Sequence, residues 1–314
     1  MHRLSNSYLS AVVVFFTACQ IAHGQTATEI LDEVRELAGD QWRSSFDFLC
    51  GPDPDPGNAA ETPVMMPTRL FDNLYAFGRS GAVVYVLTTT EGVILIDSGY
   101  PDQVESVLVP GLRELGFGPG DVRYVIVAHG HRDHYGGSRY LQQEHGASVA
   151  LSAADWDFVE QYRGDRATEP PERDFVAEDG VPIVIGDTSV TPFLVPGHTP
   201  GAIALIFEVR DGESTHTAGL FGGTILVSSR ISDEGLRQYI DSLERFSAVA
   251  AEVGVDVELQ NHPVMDDTHA KIERLANRGV GDPHPFVIDP SSYRDFLGVI
   301  AGCTHLELAR RLVQ

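Results

Sequence analysis

His129-Gly130-His131-Arg132-Asp133-His134 places three imidazoles and one carboxylate within six consecutive residues, directly after the apolar run Arg123-Tyr124-Val125-Ile126-Val127-Ala128. That run is rich in β-branched residues and predicts a strand, so the cluster falls where the strand ends. Imidazole nitrogen and carboxylate oxygen are ligands that divalent zinc accepts. Side chains alternate along an extended chain, which points His129 and His131 to one side. Asp133 and His134 come after the chain has turned and can aim at a second point nearby. Crowding imidazoles that can each take a proton is unfavourable unless something holds them neutral, and metal coordination does that. A solvated His-rich loop is the competing reading, and it needs no histidine partners elsewhere.

Two partners are present. Pro196-Gly197-His198-Thr199-Pro200-Gly201 follows the strand-like SVTPFLV, and Gln260-Asn261-His262-Pro263 follows VDVEL in the same manner. Pro and Gly fix tight turns, and strand-to-loop junctions are where α/β folds gather functional groups. Together the three stretches supply five His and one Asp, enough for two sets of three. Three protein ligands with a position left open is the pattern of catalytic rather than structural zinc.

The chain has 314 residues, 43% hydrophobic and 21% charged, which suits one large domain or two small ones. Lys+Arg number 22 against 45 Asp+Glu, for a formal charge of −23. So acidic a chain repels phosphate backbones, and nucleic acid is not expected as a partner; a small-molecule substrate is. Arg3, the apolar Leu9–Ala18 stretch and Ala22-His23-Gly24 read as a signal peptide over residues 1–24. The apolar stretch is too short to span a bilayer. The expected location is therefore the periplasm or the medium, with a lipoprotein anchored through Cys19 as the alternative. Removal of the leader leaves Cys50 and Cys303, which can pair or remain two buried thiols.

Residues 25–65 form an N-terminal extension: a helix over 26–46, with Ile30, Leu31, Val34 and Leu37 at helical spacing, then a Pro- and Gly-rich loop over 50–63. The main domain is expected over 66–314. LYAFG, AVVYVLTT and GVILI predict adjacent antiparallel strands, and strands then helices occur twice along the chain. That rhythm predicts two β/α halves in one sandwich with helices outside. Arg163 to Gly180 is a polar surface loop. That loop, with Trp156 and Tyr162 beside it, suits either the lining of a substrate groove or plain surface packing of a helix.

HGHRDH, PGHTPG and NHP, with the upstream strand ending in Ile94-Leu95-Ile96-Asp97-Ser98-Gly99, resemble the metallo-β-lactamase superfamily over about residues 66 to 312. The resemblance implies an α/β fold, a four-layer αββα sandwich with a dizinc site at one edge. It implies that His129, His131 and His198 bind the first zinc, and that Asp133, His134 and His262 bind the second. Asp97 matches a position that orients a ligand histidine. Many hydrolases of the superfamily carry an Asp that bridges both metals; here that place reads Leu220-Phe221-Gly222-Gly223-Thr224, with Gly223 where the Asp would stand. No Cys lies near the cluster, and the stretch from His284 to Cys303 is similar to the His/Asp-only dizinc subclass (subclass 3) of class B β-lactamases.

The implied activity is that of an exported zinc-dependent hydrolase. Metal-bound hydroxide would attack a cyclic amide carbonyl and open a β-lactam ring, with Asp133 as proton shuttle. No GxSxG pattern points to a covalent nucleophile. A lactone, thioester or other ester is the alternative substrate, and a non-catalytic zinc-binding protein is a further reading. His145, His216, His269, His284 and His305 fit no such motif and are assigned to surface or packing.

Overall fold

Along the strand Ala82–Thr89, Val83, Tyr85 and Leu87 are buried in one apolar cluster while Val84 and Val86 are buried in another. A strand covered on both faces is a middle layer, and the whole architecture follows from that. The computed structural model describes residues 25–51, 64–79, 81–165, 167–226 and 231–312. The expected leader, Cys19 and most of the 50–63 loop lie outside the described residues.

In chain order the elements are α1 (Ala27–Ala38), α2 (Arg43–Cys50), β1 (Met65–Arg69), β2 (Leu74–Arg79), β3 (Ala82–Thr89), β4 (Gly92–Ile96), α3 (Val109–Glu114), β5 (Val122–Ile126), α4 (Arg132–Tyr135), α5 (Ser138–His145), β6 (Ser148–Leu151) and α6 (Ala153–Val159). They continue with β7 (Phe175–Val176), β8 (Ile183–Ile185), β9 (Thr188–Leu194), β10 (Ile203–Asp211), β11 (Ser214–Phe221), α7 (Asp233–Val253), β12 (Val257–Leu259), α8 (Thr268–Ala276) and α9 (Pro290–Arg311). One sheet runs β1 to β7 in sequence order, antiparallel through β4 and parallel beyond it. The other has the order β12-β11-β10-β9-β8, with β12 parallel to β11 and the remaining pairs antiparallel.

Tyr85, Ile94, Ile96 and Ile126 from the first sheet meet Ile203, Leu205, Phe207 and Leu220 from the second. Leu112, Leu141, Trp156 and Val159 cover the outer face of the first sheet. Val34, Phe46, Phe246 and Phe296 cover the outer face of the second. Helices, sheet, sheet, helices: this is the αββα sandwich expected from the sequence. Burial of these faces at roughly 25 cal/mol per Å² of apolar surface is the dominant favourable term.

The N-terminal helix expected over 26–46 is instead two helices. α1 ends at Gly39, whose N–H bonds Arg35 O, and α2 resumes at Arg43. The break lets the chain wrap α9: buried Trp42 donates its indole N–H to Ser292 O at 3.0 Å and packs on Phe296 with ring centroids 4.9 Å apart. Cys50 and Cys303 are disulfide-bonded, tying α2 to α9. Among the described residues no helix is long and apolar enough to cross a membrane.

Candidate metal centre

β4 and β5 are parallel neighbours, so Asp97 and the HGHRDH turn emerge at the same end of the first sheet. β9 of the second sheet leads into His198, and β12 leads into His262. The Ile203 N–H to Ala128 O bond, 2.8 Å, joins the two sheets at that end. His129, His131 and His198 converge there: His198 Nε2 lies 3.2 Å from His129 Nε2 and 3.0 Å from His131 Nδ1. Asp133, His134 and His262 converge beside them, with Asp133 Oδ2 at 3.2 Å from His134 Nε2 and 3.9 Å from His262 Nε2. Within each trio the candidate donor atoms all lie within 4.8 Å of one another. The rings of His129 and His134 are 3.9 Å apart between centroids, so the trios share a wall.

Electrostatics divide the two groups. Burial, reinforced by neighbouring imidazoles, pushes His129 and His198 well below the ordinary histidine range. His262 is lowered for the same leading reason. These rings are neutral, as ligands must be. Burial also disfavours charge on His134, yet Asp133 and Asp97 outweigh it and raise that ring to about 10. Burial works to raise Asp133, and His134, His262 and His131 overcome it, holding the carboxyl well below the usual carboxylate range. Two carboxylates around His134 make a place that retains positive charge, whether from a proton or from a metal.

Ring orientation is fixed by the nitrogens that face away from the cluster. His134 Nδ1 donates to Asp97 Oδ2 at 2.7 Å and His262 Nδ1 donates to Gly81 O at 2.8 Å, which directs both Nε2 atoms toward Asp133. Asp97 also accepts from Ala128 N–H at 2.8 Å and from Asn261 Nδ2 at 2.5 Å. It adopts a left-handed backbone, φ +61°, a region a short polar side chain tolerates better than most. Gly223 has φ +80°, its carbonyl accepts from Tyr239 OH, and a Cβ there would stand 2.6 Å from His198 Cβ. The space a side chain at 223 would need is taken by the His198 side chain.

All six candidate ligands and Asp97 therefore meet in one place. Trp156 does not join them: it is buried and donates its indole N–H to Phe175 O at 2.8 Å, so it packs α6. The Arg163–Gly180 loop is held through Tyr135 OH, on the residue after His134, to Thr168 O and through Gln142 Nε2 to Glu172 O. The aromatic beside the first trio is Phe158, its ring centroid 5.9 Å from that of His131, with Tyr162 edge-on at 6.2 Å behind it. Sequence reasoning missed Phe158: helical spacing puts it on a different face from Trp156 but does not say which of the two faces meets the sheet. Asn261 and Asp155 carried no sequence signal. Asp155 is buried, and burial pushes its carboxyl up to about 6 against opposing bonds from Thr199, Gly130 and Gly201. Of the histidines assigned to surface or packing, His216 bonds Asp256 at 2.7 Å and His284 bonds Leu70 O at 2.9 Å, both away from the cluster.

The profile of the metallo-β-lactamase superfamily matches residues 77–247, more than half of the chain. The chain belongs to the metallo-β-lactamase superfamily. Among solved structures, this superfamily member is similar to BJP-1, a subclass B3 metallo-β-lactamase of Bradyrhizobium japonicum, at 26% identity and a TM-score of 0.68, covering 81% of this chain and 96% of that one. It is similar to native FEZ-1 metallo-β-lactamase from Legionella gormanii at 25% identity and a TM-score of 0.67, over 80% and 98% of the two chains. Among curated relatives it matches an N-acyl homoserine lactonase of Bacillus cereus at 27% identity over 152 residues, 40% of this chain and 58% of that one. It matches a hydroxyacylglutathione hydrolase of Methylococcus capsulatus at 31% over 135 residues, 42% and 46%. The chain thus spans about half the length of the curated relatives it matches. All four relatives are hydrolases by name.

Proposed function

We propose that this metallo-β-lactamase superfamily member is an exported zinc-dependent hydrolase that opens β-lactam rings, with two zinc ions per chain. The observation that carries the reading is the pair of three-donor groups with Gly223, not a carboxylate, facing them. Donors arranged tetrahedrally around zinc at 2.0–2.1 Å stand about 3.3 Å from one another. The 3.0 and 3.2 Å separations in the first trio fit that spacing. His129, His131 and His198 would hold one ion, and Asp133, His134 and His262 the other. When bound, such ions polarise a carbonyl oxygen and bring the pKa of bound water to about 7.

The chain's own groups do the rest. Asp97 and Gly81 O hold His134 and His262 in the tautomers that leave Nε2 for the metal. Asp133 stands beside His134 and His262 and is only partly buried, and it would be the group that relays a proton to the leaving nitrogen. Phe158 and Tyr162 supply an apolar wall on the first trio's side. The structural similarity to two β-lactamases over nearly their full lengths supports this substrate class.

Purified protein should contain two zinc ions per chain and hydrolyse nitrocefin, lose turnover on dialysis against a chelator, and regain it with added zinc. A zinc-loaded protein that leaves penicillins, cephalosporins and carbapenems intact would refute the reading. The lactonase and hydroxyacylglutathione hydrolase matches favour a second reading, a lactone or thioester substrate. Turnover of an acyl-homoserine lactone or an acyl-glutathione in place of nitrocefin would select it.

A further inference from the structure

Asp155 is 1% exposed and sits in the first turn of α6, where its N–H bonds the Ser152 cap at 3.1 Å. Its carboxylate reaches out of the helix and accepts three bonds. Oδ2 takes Gly130 N–H at 2.7 Å and Thr199 Oγ1 at 2.8 Å; Oδ1 takes Gly201 N–H at 2.8 Å. Gly130 lies between His129 and His131, and Thr199 follows His198. The two loops that carry the first trio come from different sheets, and this one side chain joins them. Gly201 makes the approach possible, since a Cβ there would run into Ser152 Oγ and Asp155 N. The second trio is braced separately, by Asp97 on His134 and by Gly81 O on His262.

We propose that Asp155 is a positioning residue for the first metal, holding His198 at coordinating distance from His129 and His131. The inference rests on the reading of that trio as a metal site. Ile203 N–H to Ala128 O ties the strand ends; Asp155 carries the tie forward to the turns that bear the imidazoles. A carboxylate is required because all three partners are donors. An amide has one acceptor oxygen, and its NH2 would confront either the Gly201 N–H or the Gly130 N–H and Thr199 hydroxyl. With that register lost, three imidazoles no longer meet at one point, and pre-organised geometry is what gives such a site its affinity.

The test is zinc affinity at neutral pH, measured by competition with a chromophoric chelator in two backgrounds. His262→Ala isolates the first trio and His198→Ala isolates the second. Asp155→Asn should weaken zinc binding about 10–100-fold in the His262→Ala background, the usual range for a supporting partner, and leave it unchanged in the His198→Ala background. Equal affinity with and without Asp155→Asn in the His262→Ala background would overturn the proposal. So would an equal loss in both backgrounds, which is the signature of general destabilisation. Should Asp155→Asn fail to fold, Thr199→Val removes one of the three bonds and keeps the carboxylate; it should give a smaller loss confined to the first trio, and no loss would again overturn the proposal. If His262→Ala alone binds no zinc, it is the reading of the trio as a metal site that fails.

Discussion

Asp97 Oδ2 and His134 Nδ1 lie 2.7 Å apart, and both side chains are buried. The bond aims His134 Nε2 at Asp133. The same carboxylate also takes the Ala128 N–H and the Asn261 amide, so one side chain links the ends of β4, β5 and β12. Asp97→Asn keeps the shape but turns an amide toward two donors. The expected outcome is a loss of zinc affinity at the second trio of about 10–100-fold, read by chelator competition. An unchanged affinity would show that His134 is oriented by packing alone.

Gly223 separates this site from one with a bridging carboxylate. Gly223→Asp should not create a bridge, because the new Cβ would stand 2.6 Å from His198 Cβ on a left-handed backbone. His198 must move, and the expected result is one metal per chain instead of two. Elemental analysis after dialysis decides this. Two metals together with gained lactone hydrolysis would show that the loop can yield.

The order of legibility has a physical basis. The six candidate ligands were readable because each follows a β-rich run, and strand ends in a layered fold converge on one edge. The middle layers were readable through near-continuous apolar runs such as Val83-Val84-Tyr85-Val86, the pattern of a strand buried on both faces. Asp155 and Asn261 were not, because an acidic residue in a first helical turn and an Asn beside a His look like ordinary capping and loop residues. What gives them their roles is contact over 25 to 164 positions of sequence separation. Trp156 and Phe158 show the same limit: which face of α6 meets the sheet was not written in either residue.

The Cys50–Cys303 bond closes a loop of 253 positions and fastens α2 against α9. α2 in turn reaches the turn after His262, since Ser45 Oγ donates to Met265 O and Ser44 Oγ bonds Asp267. Replacing both cysteines by serine is expected to lower unfolding free energy by about 2–5 kcal/mol. Urea unfolding should show that difference under oxidising conditions, and it should vanish when wild type is reduced.

Asp155 gives the metal-free protein a pH signature. Its folded pKa is about 6 against an ordinary 3.8, with only neutral partners around it. Between those values the folded chain keeps a proton that the unfolded chain has released. Its stabilising contribution is therefore full below about pH 4 and is lost as pH rises through about 6. Two units correspond to about 2.7 kcal/mol. In chelator-treated protein, the stability of wild type relative to Asp155→Asn should fall by about that amount from pH 4 to pH 7. A flat difference would mean that the carboxylate is not buried in solution.

The central claim is that two adjacent trios are two metal sites. Zinc content per chain, measured on wild type, His129→Ala, His262→Ala and His216→Ala after identical dialysis, addresses it most directly. His216 bonds Asp256 away from the cluster and serves as the control. Two ions in wild type and His216→Ala, with one in each of the other variants, is the expected result. Equal zinc in all four proteins would contradict the account.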